Sequence, residues 1–309
     1  MSKPRRILLG PSSFGALDSS PRSVLTDAGF ELVENPFRRR LTRDELGALL
    51  DSSVVGLIAG LEPVDREVLQ ASSLRVVSRC GAGMSNVDVF AAEELGIRVC
   101  STPDGPTVAV AELTLSAMLS ILRGTHRMDA AMHAGDWPKT IGGQLEGRTV
   151  VVVGLGRIGR RVAQLVAAFG ARIIAVDPMA AAFADGECEF RSLQDALPDA
   201  GVVTLHCSGE TEVLGAAELA QLPRGAFVLN CARGGVVNEA ALLSALDSGH
   251  VAGAWLDCFV EEPYTGPLRG HAQVLLTPHV GSYTRECRLK METQAARNLV
   301  EAFARAPCP

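Results

Sequence analysis

The sequence predicts an α/β protein built from two doubly wound parallel sheets that follow one another along the chain. Three observations lead to this prediction. Short β-rich runs alternate with helical patterns almost throughout the 309 residues, as in βαβ units. The runs are continuously apolar rather than alternating, which is typical of parallel strands covered on both faces. The length is sufficient for two domains of ordinary size, each with its own core.

The predicted strands fall into two sets, and each set indicates one sheet. The first set is 6–10, 31–35, 54–60, 74–81 and 97–102. The second set is 148–154, 172–177, 201–206, 227–232, 252–258 and 274–279. Helix patterns such as those at 42–53 and 88–96 separate the strands of the first set. Two longer helices are predicted, an amphipathic one at 284–306 and one at 107–124 that is apolar most of the way round. We expect the second to be buried between domains or between subunits.

Charge and composition exclude several classes of protein. The formal net charge of −6 gives little electrostatic support for a nucleic-acid partner, and we interpret the basic run Arg38–Arg40 as a solvated loop. The N-terminal apolar run is too short for a signal peptide, and no apolar run is long enough to span a membrane. The eight cysteines lie at least 19 residues apart. We therefore expect no metal site, and reduced thiols in a cytoplasmic protein.

A glycine pattern marks the first strand of the second set. Gly154, Gly156 and Gly159 form G-x-G-x-x-G after a strand and before a helix, and Asp177 ends the next strand 18 residues after Gly159. This is the dinucleotide-binding fingerprint of the Rossmann fold, in which the pyrophosphate lies at the helix N-terminus. Asp177 would accept hydrogen bonds from the ribose and repel a 2′-phosphate, so NAD is favoured over NADP. The alternative is a tight strand–helix turn without a ligand.

Three polar residues follow later strands of the same set: Arg233, Glu262 and His279. Because ligands bind outside the carboxyl ends of parallel strands, we expect all three at the edge that carries the glycine loop. A guanidinium grips a carboxylate, an imidazole exchanges a proton near neutral pH, and a neighbouring carboxylate raises the imidazole pKa. Each residue alone would more often be structural. Together they favour oxidation of a 2-hydroxy acid.

The sequence resembles the D-isomer-specific 2-hydroxyacid dehydrogenases, and within them the D-3-phosphoglycerate dehydrogenase-like branch. The resemblance runs from about residue 56 to 300 and rests on several motifs together. These motifs are GLEPVDREVL, SRCGAGMSNVD, AAEELGIRV, VAELTL, GRTVVVVGLGRIGRRVA, NCARGGVVNEAALLSAL, LDCFVEEP and TPHVGSYTRE.

The resemblance implies roles for individual residues. His279 would exchange the proton of the substrate hydroxyl, Glu262 would hold and tune His279, and Arg233 would bind the substrate carboxylate. The glycines after Arg233 would leave room for substrate and nicotinamide. By matching position, further residues would contact NAD; besides the three glycines they are Arg157, Ile158, Asp177, His206, Cys207, Cys231, Asp257 and Gly281.

The substrate is left open between a phosphorylated or phosphonate-bearing acid and glyoxylate or hydroxypyruvate. The loop with Ala82 and Gly83 would offer backbone amides to the substrate carboxylate. Arg79 matches a phosphate-binding position, or is a structural arginine, and a second phosphate-binding arginine of the branch is replaced by Gly60. Ser12 and Ser13 would supply hydroxyls to an anion. The candidate substrate residues are therefore Ser12, Ser13, Arg79, Ala82 and Gly83.

The family fold implies a flavodoxin-like substrate domain of residues 1–101 and 285–309 and a Rossmann NAD-binding domain of residues 102–284. The active site would lie in the cleft between them, and the protein would be a homodimer acting on a small 2-hydroxy or 2-keto acid. A rival of another class is a non-enzymatic NAD(H)-sensing protein, as the corepressors of the family are. Trp255 stands where a small residue is common, and we interpret it as packing or interface rather than specificity.

Overall fold

The computed structural model describes residues 5–179, 188–209 and 211–305. The backbone divides into two compact units, one of residues 1–106 with 282–309 and one of residues 107–281. Ala306, the end of the last predicted helix, and Cys308 lie outside the described residues.

The first unit alternates strands and helices along the chain. Its strands are β1 (Arg6–Leu9), β2 (Glu31–Glu34), β3 (Val54–Ala59), β4 (Val76–Arg79) and β5 (Arg98–Cys100). Its helices are α1 (Ser20–Asp27), α2 (Arg43–Leu49), α3 (Arg66–Ala71), α4 (Val89–Glu94) and the long C-terminal α11 (Arg285–Ala304). The sheet order is β2-β1-β3-β4-β5 with every pair parallel. This is the doubly wound order in which the winding direction reverses between β1 and β3.

The second unit holds the larger sheet. Its strands are β6 (Thr149–Val153), β7 (Arg172–Val176), β8 (Glu189–Phe190), β9 (Val202–Leu205), β10 (Ala226–Asn230), β11 (Val251–Leu256) and β12 (Val274–Leu276). Its helices are α5 (Thr107–Arg123), α6 (Thr125–His133), α7 (Arg157–Ala168), α8 (Leu193–Ala196), α9 (Ala216–Gln221) and α10 (Glu239–Asp247). The order β12-β11-β10-β9-β6-β7-β8 is parallel throughout. This is the Rossmann order with one added strand, so the predicted fold class is confirmed.

The uniformly apolar strands are explained by burial on both faces of the sheet. Along β6, Val151 and Val153 pack into one hydrophobic cluster, whereas Val150 and Val152 pack into the cluster on the opposite face. Because helices cover both faces of the sheet, successive side chains of such a strand are all buried, and the strand shows no alternation of polar and apolar residues.

The apolar helix α5 packs within its own unit. Its neighbours there include α7 and β11, and its buried face includes Ala111, Met118 and Ile121. The second unit thus buries a large part of the helix that we expected between domains or subunits. Among the described helices, none alone has the length and apolarity needed to cross a bilayer. Taken together, the bent pair α5 and α6 meets those two criteria by length and composition.

A buried ion pair joins the C-terminal helix α11 to the N-terminal loop of the first unit. Arg288 and Glu292 lie one turn apart, with Nη2 and Oε1 2.5 Å from each other. Arg288 also donates to the hydroxyl of Ser13 at 3.0 Å, and Glu292 accepts from the backbone N–H of Gly15 at 2.8 Å. These contacts connect chain segments more than 270 positions apart.

We predict that Glu292→Ala destabilises the protein by about 3 kcal/mol, because it leaves the Arg288 guanidinium buried without its carboxylate. Equilibrium urea unfolding followed by circular dichroism measures this. The matched control is Glu301→Ala on the same helix, whose partner Arg305 is exposed, and we expect a loss below about 1 kcal/mol there. Equal losses in the two variants would contradict the role of the buried pair.

Candidate active site

The residues predicted to bind the dinucleotide follow the carboxyl ends of strands in the seven-stranded sheet. Gly154 follows β6, Asp177 follows β7, His206 and Cys207 follow β9, Cys231 follows β10, Asp257 follows β11, and Gly281 lies beyond β12. Arg157, Ile158 and Gly159 open α7, with Gly156 as its N-cap. All strands run in the same direction, so these residues share one edge of the sheet.

The glycine loop has a geometry that only glycine permits at two positions. Gly154 has φ +90°, and a Cβ there would lie 2.5 Å from the backbone nitrogen of Cys207. At Gly159, a Cβ would lie 1.9 Å from the carbonyl oxygen of Gly154, so the helix and the loop pack directly against each other. Gly156 faces open space, with nothing within 4 Å of a Cβ placed there. Its face and the first turn of α7 form a cradle suited to a pyrophosphate.

The carboxylate of Asp177 holds the glycine loop from the end of the neighbouring strand. Oδ2 accepts from the backbone N–H of Leu155 at 2.6 Å, and Oδ1 accepts from the N–H of Met179 at 2.8 Å. Asp177 is half-buried, so its remaining lone pairs are within reach of a ligand at this edge. The residue therefore shapes the loop as well as presenting a negative charge.

Arg233 lies on a turn built by Asn230 at the end of β10. The Asn230 side chain accepts from the N–H of Ala232 at 3.1 Å and donates to the carbonyl of Arg233 at 2.9 Å. A Cβ at Gly234 would lie 1.9 Å from the carbonyl oxygen of Phe259. The backbone of Phe259 therefore occupies the space next to Gly234. The resemblance had implied that the glycines after Arg233 leave this space for ligands.

His279 and Glu262 form a close pair. His279 Nδ1 lies 2.9 Å from each Glu262 carboxylate oxygen, and Oε1 also accepts from the N–H of Phe259 at 3.2 Å. Hydrogen bonds with Cys258 and Glu262 raise the pKa of His279 to about 10, against the opposing effect of burial. The imidazole is therefore mainly protonated at neutral pH, which suits a general acid.

The buried carboxylate of Asp257 fixes the loop that carries His279. It accepts from the hydroxyl of Thr277 at 2.5 Å and from the backbone N–H groups of Val280 and Gly281 at 2.9 and 2.8 Å. His279 lies between these three anchors with φ +55°. Such a left-handed conformation costs free energy in a non-glycine residue and persists only when its surroundings impose it.

Three further residues of the site were missed by sequence reasoning or assigned another role. Trp255 is fully buried, and its Nε1 donates to the hydroxyl of Thr277 at 3.0 Å, so it supports the loop from the core. Thr277 stands in the TPH motif, which was the available signal. Cys258 brings its thiol within 4.8 Å of the metal-binding atoms of Glu262 and His279, a grouping that the cysteine spacing did not predict.

Among the remaining cofactor candidates, Cys231 and Gly281 are in contact with this network, whereas His206 has a different partner. Cys231 Sγ donates to Asp257 Oδ2 at 3.7 Å, and a Cβ at Gly281 would lie 3.3 Å from Cys231 Sγ. His206 Nε2 lies 2.9 Å from the Thr204 hydroxyl. Burial lowers the pKa of His206 to about 3, so this imidazole is neutral at physiological pH.

The candidate substrate residues lie in the first unit. Ser12 and Ser13 are exposed, and Ser13 accepts from Arg288. The guanidinium of Arg79 is buried and donates to the side chain of Asn86 and to the carbonyl of Cys80. The loop after β4 carries Ala82, which is exposed, and Gly83, which is half-buried.

The chain is similar in sequence to a known family model and to several curated proteins. Residues 115–281 match the model of the D-isomer specific 2-hydroxyacid dehydrogenase, NAD binding domain. The chain is 36% identical over 309 residues to D-3-phosphoglycerate dehydrogenase of Rattus norvegicus, covering 96% of this chain and 56% of that protein. A Mycobacterium bovis protein of the same name is 39% identical over 271 residues, covering 85% of this chain and 51% of that protein. The chain therefore spans about half the length of the curated relatives it matches.

Solved structures share the fold over the full length. The TT0316 protein from Thermus thermophilus superposes with a TM-score of 0.87 at 33% identity, covering 98% of each chain. A glyoxylate reductase from Paecilomyes thermophila gives a TM-score of 0.87 at 29% identity, covering 100% of this chain and 98% of that one. With more than half of its residues matched by the family model, the chain belongs to the D-isomer specific 2-hydroxyacid dehydrogenase family.

Proposed function

We propose that the protein is an NAD-dependent oxidoreductase that interconverts D-2-hydroxy acids and 2-keto acids. The observation that carries the proposal is the placement of Arg233, Glu262 and His279. They follow three neighbouring strands at the sheet edge that bears the glycine fingerprint. A cation for the carboxylate, a general acid–base and the carboxylate that tunes it are the groups this chemistry requires.

Each residue of the triad has a separate task in this proposal. Arg233 binds the substrate carboxylate and polarises the C2 oxygen. Protonated His279 donates to that oxygen during reduction, and neutral His279 removes the hydroxyl proton during oxidation. Glu262 holds His279 at Nδ1, which leaves Nε2 to exchange the proton.

The cofactor candidates fit a dinucleotide. The open face of Gly156 and the first turn of α7 would hold the pyrophosphate, and Asp177 would hold the adenosine ribose. NAD, when bound, supplies the hydride acceptor, and NADH the donor. Asp177 also places a negative charge where a 2′-phosphate would otherwise lie, so NAD is preferred over NADP.

The substrate class rests on the relatives, which include proteins named D-3-phosphoglycerate dehydrogenase and a glyoxylate reductase. Phosphorylated acids, glyoxylate and hydroxypyruvate are therefore the candidates. We propose that the first unit is the substrate domain, with Arg79, Ser12, Ser13, Ala82 and Gly83 as its contact residues, and that the second is the NAD-binding domain. The free thiols of the seven described cysteines support a reducing, cytoplasmic location.

We predict that the wild-type protein oxidises NADH with at least one 2-keto acid, and NADPH more slowly. Absorbance at 340 nm is measured against glyoxylate, hydroxypyruvate, 3-phosphohydroxypyruvate, phosphonopyruvate and pyruvate. Arg233→Ala and His279→Ala each lower kcat/KM by at least about a hundredfold, because each removes a group that acts in the transition state. NADH binding without turnover of any acid would instead favour the NAD(H)-sensing alternative.

The raised pKa of His279 predicts opposite pH profiles for the two directions. Reduction needs protonated His279, so its kcat/KM stays level at neutral pH and falls as pH rises through about 10. Oxidation needs the neutral imidazole, so its kcat/KM rises over the same range. Glu262→Gln removes one cause of the shift and moves both profiles to lower pH. Unchanged profiles in Glu262→Gln would contradict this role of the carboxylate.

We further propose a homodimer formed through the second unit. Its described surface exposes Trp137 and Ile141 after α6, with relative exposures of 76% and 101%, and such side chains are typical of interfaces. Sedimentation equilibrium is expected to give twice the 32.5 kDa mass of the chain, and the double variant Trp137→Ser/Ile141→Ser is expected to weaken the association. A monomeric wild type would refute the homodimer.

A further inference from the structure

A carboxylate of the first unit fills the crevice where its sheet would bind a ligand. Ligands of doubly wound sheets bind at the carboxyl edge, at the point where the winding reverses. In the five-stranded sheet this point lies between β1 and β3. Gly10 directly follows β1, Gly60 directly follows β3, and the side chain of Glu62, which is only 1% exposed, lies against both glycines.

The contacts of Glu62 are those expected of a bound anion. Its Oε1 accepts from the backbone N–H of Gly60 at 2.7 Å. A Cβ at Gly10 would lie 1.9 Å from Oε1, and a Cβ at Gly60 would lie 2.8 Å from Oε2. The two glycines therefore leave the space that this carboxylate occupies.

Asn86 ties the segment that carries Glu62 to Arg79. Its side-chain nitrogen donates to the carbonyls of Gly60 and Glu62 at 3.1 and 2.7 Å, and its oxygen accepts from Arg79 at 3.3 Å. Burial raises the pKa of Glu62 above its ordinary value, and the Gly60 amide and the positive charges of Arg79 and Arg40 offset this only in part. Arg79 thus already has an internal carboxylate in its electrostatic surroundings.

A second buried carboxylate occupies two further donors, one in the loop after β1 and one on α11. Glu292 is 3% exposed and accepts from the N–H of Gly15 and from Arg288. The loop after β1 was a candidate anion site because of its hydroxyls and amides. The Gly15 amide of this loop and the nearby Arg288 donate hydrogen bonds to Glu292. The Gly60 amide donates to Glu62.

We propose that Glu62 determines substrate specificity by excluding a second anionic group, so that the substrate is a 2-keto or 2-hydroxy acid whose only anion is its carboxylate. This inference rests on the proposed function. A phosphate entering the crevice would find its space filled by the Glu62 side chain and the Gly60 amide already donating to Oε1, and such occupation by the protein's own side chain disfavours binding. Hydroxypyruvate would fit, whereas 3-phosphohydroxypyruvate would be rejected.

The test compares these two acids at saturating NADH. We expect wild-type kcat/KM to be at least about tenfold higher for hydroxypyruvate, since about 1.4 kcal/mol of discrimination suffices for that ratio. Glu62→Ser empties the crevice and frees the Gly60 amide, and it is expected to lower the ratio about tenfold by improving use of the phosphorylated acid. Glu62→Gln retains the shape and the oxygen that accepts from Gly60, and it keeps the preference. Glu67→Gln, an exposed site on α3, is the matched control and leaves the ratio unchanged.

The outcomes separate this inference from the proposed function. Equal or better use of 3-phosphohydroxypyruvate by the wild type overturns the inference while supporting the enzyme. A Glu62→Ser variant that loses activity equally with both acids shows a structural role only and also overturns it. If that variant does not fold, product inhibition of the wild type decides, with 3-phosphoglycerate expected to inhibit at least about tenfold more weakly than D-glycerate. Turnover of neither acid overturns the inference, whereas the proposed function is overturned only if glyoxylate, phosphonopyruvate and pyruvate are not turned over either.

Discussion

The carboxylate of Asp257 holds the loop that carries His279 in a conformation that the chain would not adopt by itself. His279 has a positive φ, and the residues on both sides of it are bonded to the two Asp257 oxygens. Trp255 is linked to Oδ1 of Asp257 through the hydroxyl of Thr277, which accepts from the indole N–H and donates to the carboxylate. A buried carboxylate without its donors would be costly, so the loop and the core stabilise each other. The orientation of His279 toward Glu262 follows from this anchor.

The parallel direction of the strands brings the other parts of the site to the same edge. The fingerprint follows β6, whereas Arg233 and His279 follow β10 and β12, far apart along the chain. A parallel sheet brings such positions together without long loops, because each crossover helix returns the chain to the start of the next strand. The same arrangement in the first unit puts Gly10 and Gly60 at one crevice.

The sequence predicted those features that depend on local spacing. The fingerprint glycines are close in the chain and are required by steric contacts of the turn itself, as at Gly159, so their pattern was informative. The tasks of Asp257 and Gly234 depend on contacts with residues 20 or more positions away. Asp257 was therefore expected only as a cofactor contact, and Gly234 as a source of free space. No spacing rule indicates that Cys258 would lie beside His279.

Glu62 illustrates why the reaction class of a family is easier to infer than its substrate. In the proposed reaction, hydride transfer next to a carboxylate uses Arg233, Glu262 and His279, and the motifs around them resemble those of the family. In our proposal the first unit recognises the rest of the substrate, and a single side chain in the crevice of its sheet, that of Glu62, takes the space and the Gly60 amide that a phosphate would need. Arg79 considered alone indicates a phosphate. Arg79 linked through Asn86 to the turn that carries a buried Glu62 indicates an uncharged substituent.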